Sequence, residues 1–323
     1  MLKAAITSSA GRRLATIAAV AGLVLVQGAA AASSPPTDVP GISPDDIAES
    51  FPPVDDPSRI VSVTGDLTEV VYALGFGEHV VATDLSATYP DEAQDTPKIG
   101  YQRALDAETI LAYEPTLVLT DDRAGPLEVF TALEAAGVDV VTIEHHADLQ
   151  APAYKVRAVA STLGVPDDGE RLVADFEREL EAGVATATEG VAENGRPLVL
   201  ALYLRGERVQ YVFGRGSGID AVIEAAGGLD VGTELGVDDF GELSTEAIIE
   251  IAPDFIIVPS NGLESVGGLE GLLAVPGIAE TPAGADPDHR ILQFETQYLY
   301  GLGPRTGQLV AELATAIHRP TES

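Results

Sequence analysis

The sequence predicts an α/β protein made of two lobes, each a doubly wound parallel sheet. Three observations lead to this prediction. From residue 58 onward, short runs rich in β-branched residues alternate with stretches of helical spacing, a pattern typical of parallel sheets covered by helices on both faces. The second half of the chain repeats this alternation. A motif with fixed internal spacing also occurs once in each half.

The alternation defines the elements of each predicted lobe. In the first lobe, residues 58–150, we predict strands at Arg59–Val63, His79–Thr83, Thr116–Thr120 and Asp139–Ile143, and helices at Leu67–Leu74, Asp106–Tyr113 and Pro126–Ala136. In the second lobe, residues 194–323, we predict strands at Pro197–Leu202, Phe255–Pro259 and Arg290–Phe294, and helices at Ile219–Ala226, Thr245–Ile251 and Pro304–His318. Pro304 is suited to the first turn of the last helix.

The repeated motif joins a helix to a buried strand. In Leu105–Pro115, and again in Leu243–Pro253, a leucine is followed three residues later by a glutamate and seven residues after that by a proline. Each helix is predicted to end near its proline, where an apolar strand begins. We interpret the halves as lobes of one ancestral type, with Glu108 and Glu246 at equivalent positions.

Residues 151–193 are predicted to connect the lobes. Helical spacing at Lys155–Leu163 and Glu170–Ala187 is interrupted by Gly164-Val165-Pro166. This pattern fits either two ordinary surface helices or one long helix that acts as a strut. A helical strut resists hinge bending, so it would leave a largely preformed cleft between the lobes.

The first residues have the composition of an export signal. In residues 1–32, basic residues precede an apolar run that is too short for a good spanning helix, and small residues follow it. An uncleaved membrane anchor is the alternative. Residues 33–57, rich in Ser, Pro and Asp, are predicted to be a flexible leader. The chain contains no cysteine, which excludes disulfides, zinc–cysteine sites and a lipid anchor on cysteine.

The charge of the chain excludes some partners. Its 51 acidic residues against 18 basic ones provide no basic stripe for nucleic acid and no general attraction to anionic membranes. The acidic composition also suggests a halophilic surface, since at roughly 1 M salt charges are screened beyond ~3 Å. Greater stability in low salt than in molar salt would contradict that hypothesis.

A loop at residues 98–105 contains the strongest candidate site. Tyr101 supplies a phenol oxygen, and Arg103 supplies a fork of donors that could hold a phenolate or a carboxylate. A ferric ion held in haem is one ligand for such a pair, because tyrosine is an axial ligand type. The alternative is a tyrosine that only packs on the loop. Asp106 is predicted to be the N-cap of the following helix, with Glu108 in its first turn.

Other candidate sites are weaker. His145 and His146 follow a strand but are adjacent, and neighbouring side chains of an extended chain point to opposite sides; we interpret them as part of a solvated turn. Gly216-x-Gly218-x-x-Ala221 only partly matches a dinucleotide fingerprint. The chain has neither a Gly-x-Ser-x-Gly elbow nor a His-Glu-x-x-His pattern. We therefore predict that the protein is not an enzyme. A secreted enzyme of unknown chemistry is the alternative.

Several motifs, in this order, resemble the haem-binding subfamily of ABC-importer substrate-binding proteins, within the class that also carries cobalamin and iron–siderophores. They are Arg59-Ile-Val-Ser-Val, Thr68-Glu69, Ala73-Leu-Gly-Phe-Gly77, Gly100-Tyr-Gln-Arg-Ala-Leu105, the Leu-x-x-Glu helix and Tyr298-Leu-Tyr-Gly-Leu-Gly-Pro-Arg305. The resemblance covers residues 58–318. It implies two α/β lobes joined by a single long helix, with the ligand in the interlobe cleft.

The resemblance also implies roles for particular residues. Tyr101 would be an axial ligand of ferric haem, and Tyr203 a second ligand from the other lobe. Arg205 would polarise the phenol or pair with a propionate. Apart from the resemblance, Arg215 next to Gly214 is a candidate propionate contact in the cleft. Tyr203 as an ordinary strand residue, with a five-coordinate iron on Tyr101, remains the alternative.

The implied partners are haem, an ABC-importer permease dimer and its ATPase. Glu108 and Glu246 would dock on arginines of the permease, although acidic residues in a first helical turn also stabilise the helix itself. The protein would be a secreted or periplasmic monomer. Cobalamin or a ferric siderophore is the alternative cargo.

Overall fold

The computed structural model describes residues 44–206, 209–242 and 244–318. The predicted export signal, residues 33–43 of the leader and Leu243 of the second motif lie outside the described residues. Residues 44–57 were predicted to belong to the leader, but they form helix α1 (Pro44–Ser50) and the segment after it. Ile47 and Phe51 are buried in the core of the first lobe, so this segment is part of that lobe.

Helices and strands alternate along the described residues as the sequence predicted. The strands are β1 (Ile60–Ser62), β2 (Val80–Thr83), β3 (Leu117–Asp121), β4 (Asp139–Ile143), β5 (Leu198–Arg205), β6 (Val209–Phe213), β7 (Leu229–Asp230), β8 (Phe240–Glu242), β9 (Phe255–Pro259) and β10 (Ile291–Phe294). The helices after α1 are α2 (Gly65–Ala73), α3 (Asp91–Gln94), α4 (Ala107–Leu111), α5 (Leu127–Ala135), α6 (Ala151–Thr162), α7 (Pro166–Asn194), α8 (Ile219–Ala225), α9 (Val231–Glu234), α10 (Thr245–Ile251), α11 (Ser260–Ser265), α12 (Gly268–Leu273), α13 (Pro282–Ala285), α14 (Pro287–Arg290), α15 (Thr296–Tyr300) and α16 (Thr306–His318), with a 3-10 turn at Gly77–His79.

The sheet of the first lobe is parallel and doubly wound. Its strands have the order β2-β1-β3-β4. Alternate residues of β1 point to opposite faces: Ile60 packs with α2 and α6, whereas Val61 packs with α4 and α5. Both are fully buried, as expected for a strand covered on both sides.

The sheet of the second lobe is mixed rather than wholly parallel. Its order is β10-β9-β5-β6-β8, with β7 also pairing with β5. The first part of β5 runs parallel to β9, and its last part, Leu202–Arg205, pairs antiparallel with β6. Gly206, with φ of 62°, begins the reversal between them, in a conformation that glycine tolerates best. The sequence analysis placed only Pro197–Leu202 in a strand and did not assign β6 or β8.

A single long helix joins the lobes, as predicted. Helix α7 has 29 residues, about 44 Å at 1.5 Å per residue. Val173 and Phe176 are buried in the core of the first lobe, and Ala187 in the core of the second. The predicted break at Gly164 separates α7 from α6, which packs in the first lobe. A strut that is shared by both cores restricts bending between the lobes.

Small residues bring α7 and α16 close together. A Cβ atom on Gly183 would lie 2.8 Å from the backbone nitrogen of Ala311, and one on Gly307 would lie 2.6 Å from the carbonyl oxygen of Phe176. Both distances are shorter than a carbon contact permits. Glycine at these positions therefore sets the spacing between the strut and the last helix. No helix of the described residues has the length and apolarity needed to cross a membrane.

A buried ion pair holds three segments together beneath the cleft. The Nζ atom of Lys155 in α6 lies 2.5 Å from a carboxylate oxygen of Asp66 in α2, with side-chain exposures of 3% and 12%. Lys155 also donates to the carbonyl oxygens of Gly301 at 2.9 Å and Leu302 at 3.3 Å. Burial alone would raise the pKa of Asp66, but the charge and hydrogen bond of Lys155 bring it below its ordinary value.

We expect Lys155→Met to lower the free energy of unfolding by about 3–5 kcal/mol, because it leaves Asp66 buried without a partner. Urea unfolding followed by circular dichroism would measure this. Adding Asp66→Asn should recover much of the loss, since the unpaired charge is then removed. As a control, Arg178→Met breaks an exposed pair with Asp175 and should change stability by less than about 1 kcal/mol. Equal effects of Lys155→Met and Arg178→Met would contradict this role of the buried pair.

Candidate functional site

An interlobe cleft of about 460 Å³ lies at the carboxyl ends of the strands, where α/β sheets usually bind ligands. The first-lobe wall is formed by residues that follow β1 to β4, together with the loop at residues 100–105. The second-lobe wall is formed by residues that follow β9 and β10. The lining includes Asp66, Leu85, Arg103, Asp121, Arg123 and His145 on the first wall and Asn261, Glu264, Glu295, Gln297 and Tyr300 on the second.

The Tyr101 loop lies at the cleft, and backbone hydrogen bonds fix it. Gln102 and Arg103 line the cleft, and Tyr101 beside them is 50% exposed. The carbonyl of Gly100 accepts from the backbone N–H of Leu85 at 3.0 Å, and that of Gln102 accepts from Gly125 at 2.8 Å. An exposed phenol on an ordered loop is available to a ligand.

The helix after this loop begins as predicted. Asp106 is the N-cap of α4, and its side chain accepts from the backbone N–H of Thr109 at 2.8 Å. Ser244 is the corresponding N-cap of α10. Glu108 and Glu246 are exposed in the first turns of these helices. The two copies of the motif therefore present glutamates at equivalent positions on the two lobes.

Tyr203 belongs to an aromatic cluster that borders the cleft. Its half-buried ring contacts Phe213 edge-on at 6.2 Å, and Phe213 contacts Tyr300 at 4.7 Å. Tyr300 lines the cleft, and its hydroxyl donates to the Leu202 carbonyl at 2.7 Å. Burial first, and the nearby Tyr203 second, raise the pKa of Tyr300 well above its ordinary value. Phe213 thus lies between Tyr203 and Tyr300, and only Tyr300 lines the cleft.

The two arginines predicted on the second lobe are exposed and lie outside the cleft lining. Arg205 ends β5, close to Tyr203 in sequence. The Arg215 guanidinium lies 3.8 Å from the Asp238 carboxylate, a pair exposed to solvent. The structure therefore places Arg103 in the lining of one wall, with Tyr101 two residues before it in the same loop. Tyr203 and Arg205 lie on β5, outside the cleft lining. Arg215 is apart from both groups.

Asp121 and Arg123 line the first wall and were not predicted from the sequence. Asp121 ends the buried strand β3 and Arg123 follows it, so the rule that ligands bind at the carboxyl ends of strands could have indicated both. Burial, and to a lesser degree the charge of Asp66, raise the pKa of Asp121 to about 6. This carboxyl group is therefore ionised at neutral pH at an energetic cost to the fold.

His145 is not in the solvated turn that the sequence suggested. Its partly buried ring lines the cleft, and its backbone N–H donates to Asp122 at 2.9 Å. Burial, followed by the positive charge of Arg123, lowers the pKa of His145 to about 4, so the imidazole is neutral at pH 7. His146 is also partly buried, with its ring edge-on to Tyr154 at 4.7 Å. Within the described residues, no cluster of three or more His, Asp or Glu side chains is arranged to hold a metal ion.

Contacts between the lobes close one side of the cleft. The amide of Gln297 donates to the carbonyl of Gly65 at 2.8 Å and accepts from the backbone N–H of Thr88 at 2.8 Å. Arg305 donates twice to Glu69, at 2.8 and 2.9 Å. The Arg305 guanidinium also stacks between two tyrosine rings, 3.6 Å from that of Tyr89 and 4.8 Å from that of Tyr298. We call Glu69, Tyr89, Gln297, Tyr298 and Arg305 the interlobe clasp.

This fold with an interlobe cleft defines a class of binding protein. Residues 60–291 match the family described as periplasmic binding protein, and the chain belongs to that family. The uncharacterized ABC transporter substrate-binding lipoprotein YvrC of Bacillus subtilis is 22% identical over 272 residues, 82% of each chain. The vitamin B12-binding protein of Vibrio campbellii is 27% identical over 124 residues, 38% of this chain and 45% of that protein.

Solved structures extend the likeness over nearly the whole described region. The periplasmic heme-binding protein RhuT from Roseiflexus sp. RS-1, in its apo form, is 46% identical, with a TM-score of 0.77. The alignment covers 81% of this chain and 98% of RhuT. The heme-binding protein HmuT is 32% identical, with a TM-score of 0.74, over 82% of this chain and 86% of HmuT. These neighbours bear out the predicted two-lobe fold and the predicted class.

We expect Asp121→Asn to stabilise the protein at pH 8 but hardly at pH 4. The pKa of Asp121 is about 6 in the folded protein against an ordinary 3.8, so the folded state holds this proton more tightly. The contribution of Asp121 to stability therefore falls as pH rises from about 4 to about 6, and stays lost above that range. A pKa difference of about two corresponds to about 3 kcal/mol, which is an upper limit for the gain in the free energy of unfolding at pH 8.

Urea unfolding of both proteins at pH 4, 6 and 8 would measure this gain. Comparing the variant with the wild type at each pH cancels the titration of the other acidic residues. A gain that is the same at pH 4 and pH 8 would contradict the raised pKa.

Proposed function

We propose that this protein captures ferric haem outside the cytoplasm and delivers it to an ABC importer. The observation that carries the proposal is the exposed Tyr101 phenol on an ordered loop at the interlobe cleft, next to Arg103. The phenolate of a tyrosine binds ferric haem, and the guanidinium of Arg103 offers donors that could hold a phenolate or a carboxylate. The 46% identity to a periplasmic heme-binding protein supports the same ligand.

Tyr203 and Arg205 are proposed to complete the site from the second lobe. HmuT has been solved with a tyrosine replaced by alanine, and separately with the arginine two residues further along replaced by alanine. Tyr203 and Arg205 have the same spacing here. We assign Tyr203 as the second axial ligand and Arg205 as its polarising neighbour or a propionate contact. Arg215 is proposed as an outer propionate contact.

Cobalamin is the second candidate cargo. It is supported by the likeness to vitamin B12-binding proteins, which involves 124 residues, far fewer than the likeness to the heme-binding structures. A ferric siderophore is a further member of the same set. Binding of the cargo needs no chemical turnover, and we propose that the protein has no enzymatic activity. We further propose that it acts as a monomer in the periplasm or at the outer face of the cell membrane.

Addition of micromolar hemin to the purified protein should produce the charge-transfer absorption of a tyrosinate-bound ferric haem. We expect Tyr101→Phe to lose or shift this absorption, because the ring remains but one coordinating oxygen is gone. Tyr113→Phe is a matched control. Tyr113 lies between α4 and the start of β3, at the amino end of that strand and so away from the cleft at the carboxyl ends. Tyr203→Phe should change the spectrum if the iron has two tyrosine ligands and leave it unchanged if it has one.

Absence of any spectral change on adding hemin to the wild type would end the haem proposal. Direct titration with cyanocobalamin would then test the second cargo, and if both ligands bind, competition between them would decide which is preferred. Retention of the wild-type spectrum by Tyr101→Phe would leave haem as the cargo but remove Tyr101 as its ligand.

Glu108 and Glu246 are proposed to dock on the permease dimer, one on each half. Each is exposed in the first turn of its helix, at corresponding positions of the two lobes. We expect Glu108→Gln and Glu246→Gln each to weaken docking to importer-containing proteoliposomes about tenfold, the loss of one charge-assisted contact. Hemin affinity should not change.

Glu250→Gln is the matched control for docking, because Glu250 is exposed on α10 one turn beyond Glu246. An equal effect of Glu246→Gln and Glu250→Gln would show that docking depends only on total charge. Unchanged docking of the double variant, Glu108→Gln with Glu246→Gln, would refute the assignment.

A further inference from the structure

Three arginines in the described residues are unlike the other basic side chains. Every other described lysine or arginine contacts a carboxylate, carbonyl or hydroxyl oxygen. The guanidinium groups of Arg103, Arg123 and Arg205 have no such contact within residues 44–206, 209–242 and 244–318. In a chain with 51 acidic residues and 18 basic ones, an unpaired arginine is conspicuous, because carboxylates are abundant everywhere else.

Two of these arginines lie on the same wall of the cleft. Arg103 and Arg123 both line it, and their loops are joined by backbone hydrogen bonds. The N–H of Gly125 donates to the carbonyl of Gln102 at 2.8 Å, and the N–H of Leu105 donates to the carbonyl of Gly125 at 3.0 Å. The two loops therefore form one ordered unit that presents both guanidinium groups.

The turn that carries Arg123 is itself fixed. Its backbone N–H donates to the carboxylate of Asp121 at 3.1 Å, directly after β3. The Arg123 side chain lies close enough to His145 to help lower the pKa of that imidazole. Because His145 is neutral at pH 7, the positive charge at this part of the wall belongs to Arg123.

The first wall also carries Asp121 and Asp66, the latter paired with Lys155, whereas the opposite wall has carboxylates but no arginine or lysine among the described residues of the cleft lining. Glu264 and Glu295 line the opposite wall. Glu295 is satisfied by the backbone N–H groups of Gln297 and Tyr298, at 3.0 and 2.8 Å. Glu264 has no side-chain partner among the described residues. An acidic group of a ligand is therefore favoured beside Arg103 and Arg123 and repelled by Glu264 and Glu295.

We propose that Arg123, together with Arg103, binds a carboxylate of the cargo and turns its acidic edge toward the first lobe. This inference rests on the proposed function, in which the cargo is haem with its two propionates. A guanidinium binds a carboxylate with two parallel hydrogen bonds. A phenolate ligand at Tyr101 and a carboxylate anchor at Arg123 would together fix the rotation of the porphyrin about the iron–oxygen bond. Arg123 is thus a specificity-determining residue for the carboxylates of the ligand.

The test compares hemin with its dimethyl ester, which keeps the iron and porphyrin but has no carboxylates. We expect Arg123→Gln to lower the affinity for hemin by about 10–100-fold, the loss of one charge-assisted contact. The affinity for the ester should stay within about twofold of wild type. The tyrosinate absorption should be retained, because Tyr101 is unchanged. Affinities would be measured by absorption titration at fixed ionic strength.

Arg171→Gln is the matched control. Arg171 is an exposed arginine on α7 paired with Asp168, so the variant has the same change in net charge without altering the cleft. It should bind both ligands as the wild type does. Glu264→Gln provides the reverse test: it should leave hemin affinity unchanged or raise it.

Each outcome decides between the two proposals. If the wild type fails to bind hemin, the haem proposal falls and the inference falls with it. If the wild type binds hemin but Arg123→Gln binds it equally well, only the inference falls. An equal loss for hemin and for the ester would also overturn it, because that pattern indicates a general disturbance of the cleft. A selective loss for hemin in Arg123→Gln alone would establish the carboxylate contact.

Discussion

The buried ion pair between Asp66 and Lys155 is the constraint on which the architecture of the cleft depends. A single ammonium group holds the start of α2, the middle of α6 and the chain after α15 in fixed positions. An ammonium buried in this way is tolerated only when its donors are satisfied together. The first lobe, the connecting segment and the second lobe must therefore meet in one arrangement. That arrangement is the floor of the cleft.

The interlobe clasp and α7 extend this constraint to the sides of the cleft. Arg305 binds Glu69 of the other lobe and is stacked between two tyrosine rings. A guanidinium held in this way is already ordered, so its side chain loses little conformational entropy when a ligand binds. Helix α7 is buried in both cores. A cleft that is already ordered loses less entropy when a ligand binds. This suits a carrier that must bind a scarce ligand and then release it to a second protein.

The sequence predicts the lobes, the long helix and the Tyr101 loop, because each depends on local patterns. Asp106 is recognisable as an N-cap from its neighbours alone, and Gly164-Val165-Pro166 ends a helix wherever it occurs. The sequence does not predict that Arg123 and His145 share a wall with Arg103. Their proximity follows from the pairing of β3 with β4 and from hydrogen bonds between two loops, which depend on tertiary structure. The burial of His145 is hidden for the same reason, since two adjacent polar residues resemble a turn.

The second sheet shows a different limit of local patterns. The first part of β5 is apolar and buried on both faces, as a central parallel strand should be. After Leu202 the sequence of β5 becomes more polar, and such a sequence is as typical of a loop as of an edge strand. The antiparallel pairing with β6 is what makes residues 202–205 one strand of a hairpin. Tyr203 and Arg205 lie in this extension, so the sequence marks them as candidates but does not show that a strand carries them beside the cleft.

The chain as a whole is strongly anionic, yet the proposed cargo is itself acidic. Screening resolves this conflict: at physiological ionic strength, charges more than about 8 Å apart hardly interact across solvent. A ligand in the cleft therefore responds to the nearest charges rather than to the total. Arginines that remain unpaired in such an acidic chain provide those charges, and the clasp and the buried pair keep other carboxylates occupied nearby. The acidic surface and the basic wall are thus compatible, because they act over different distances.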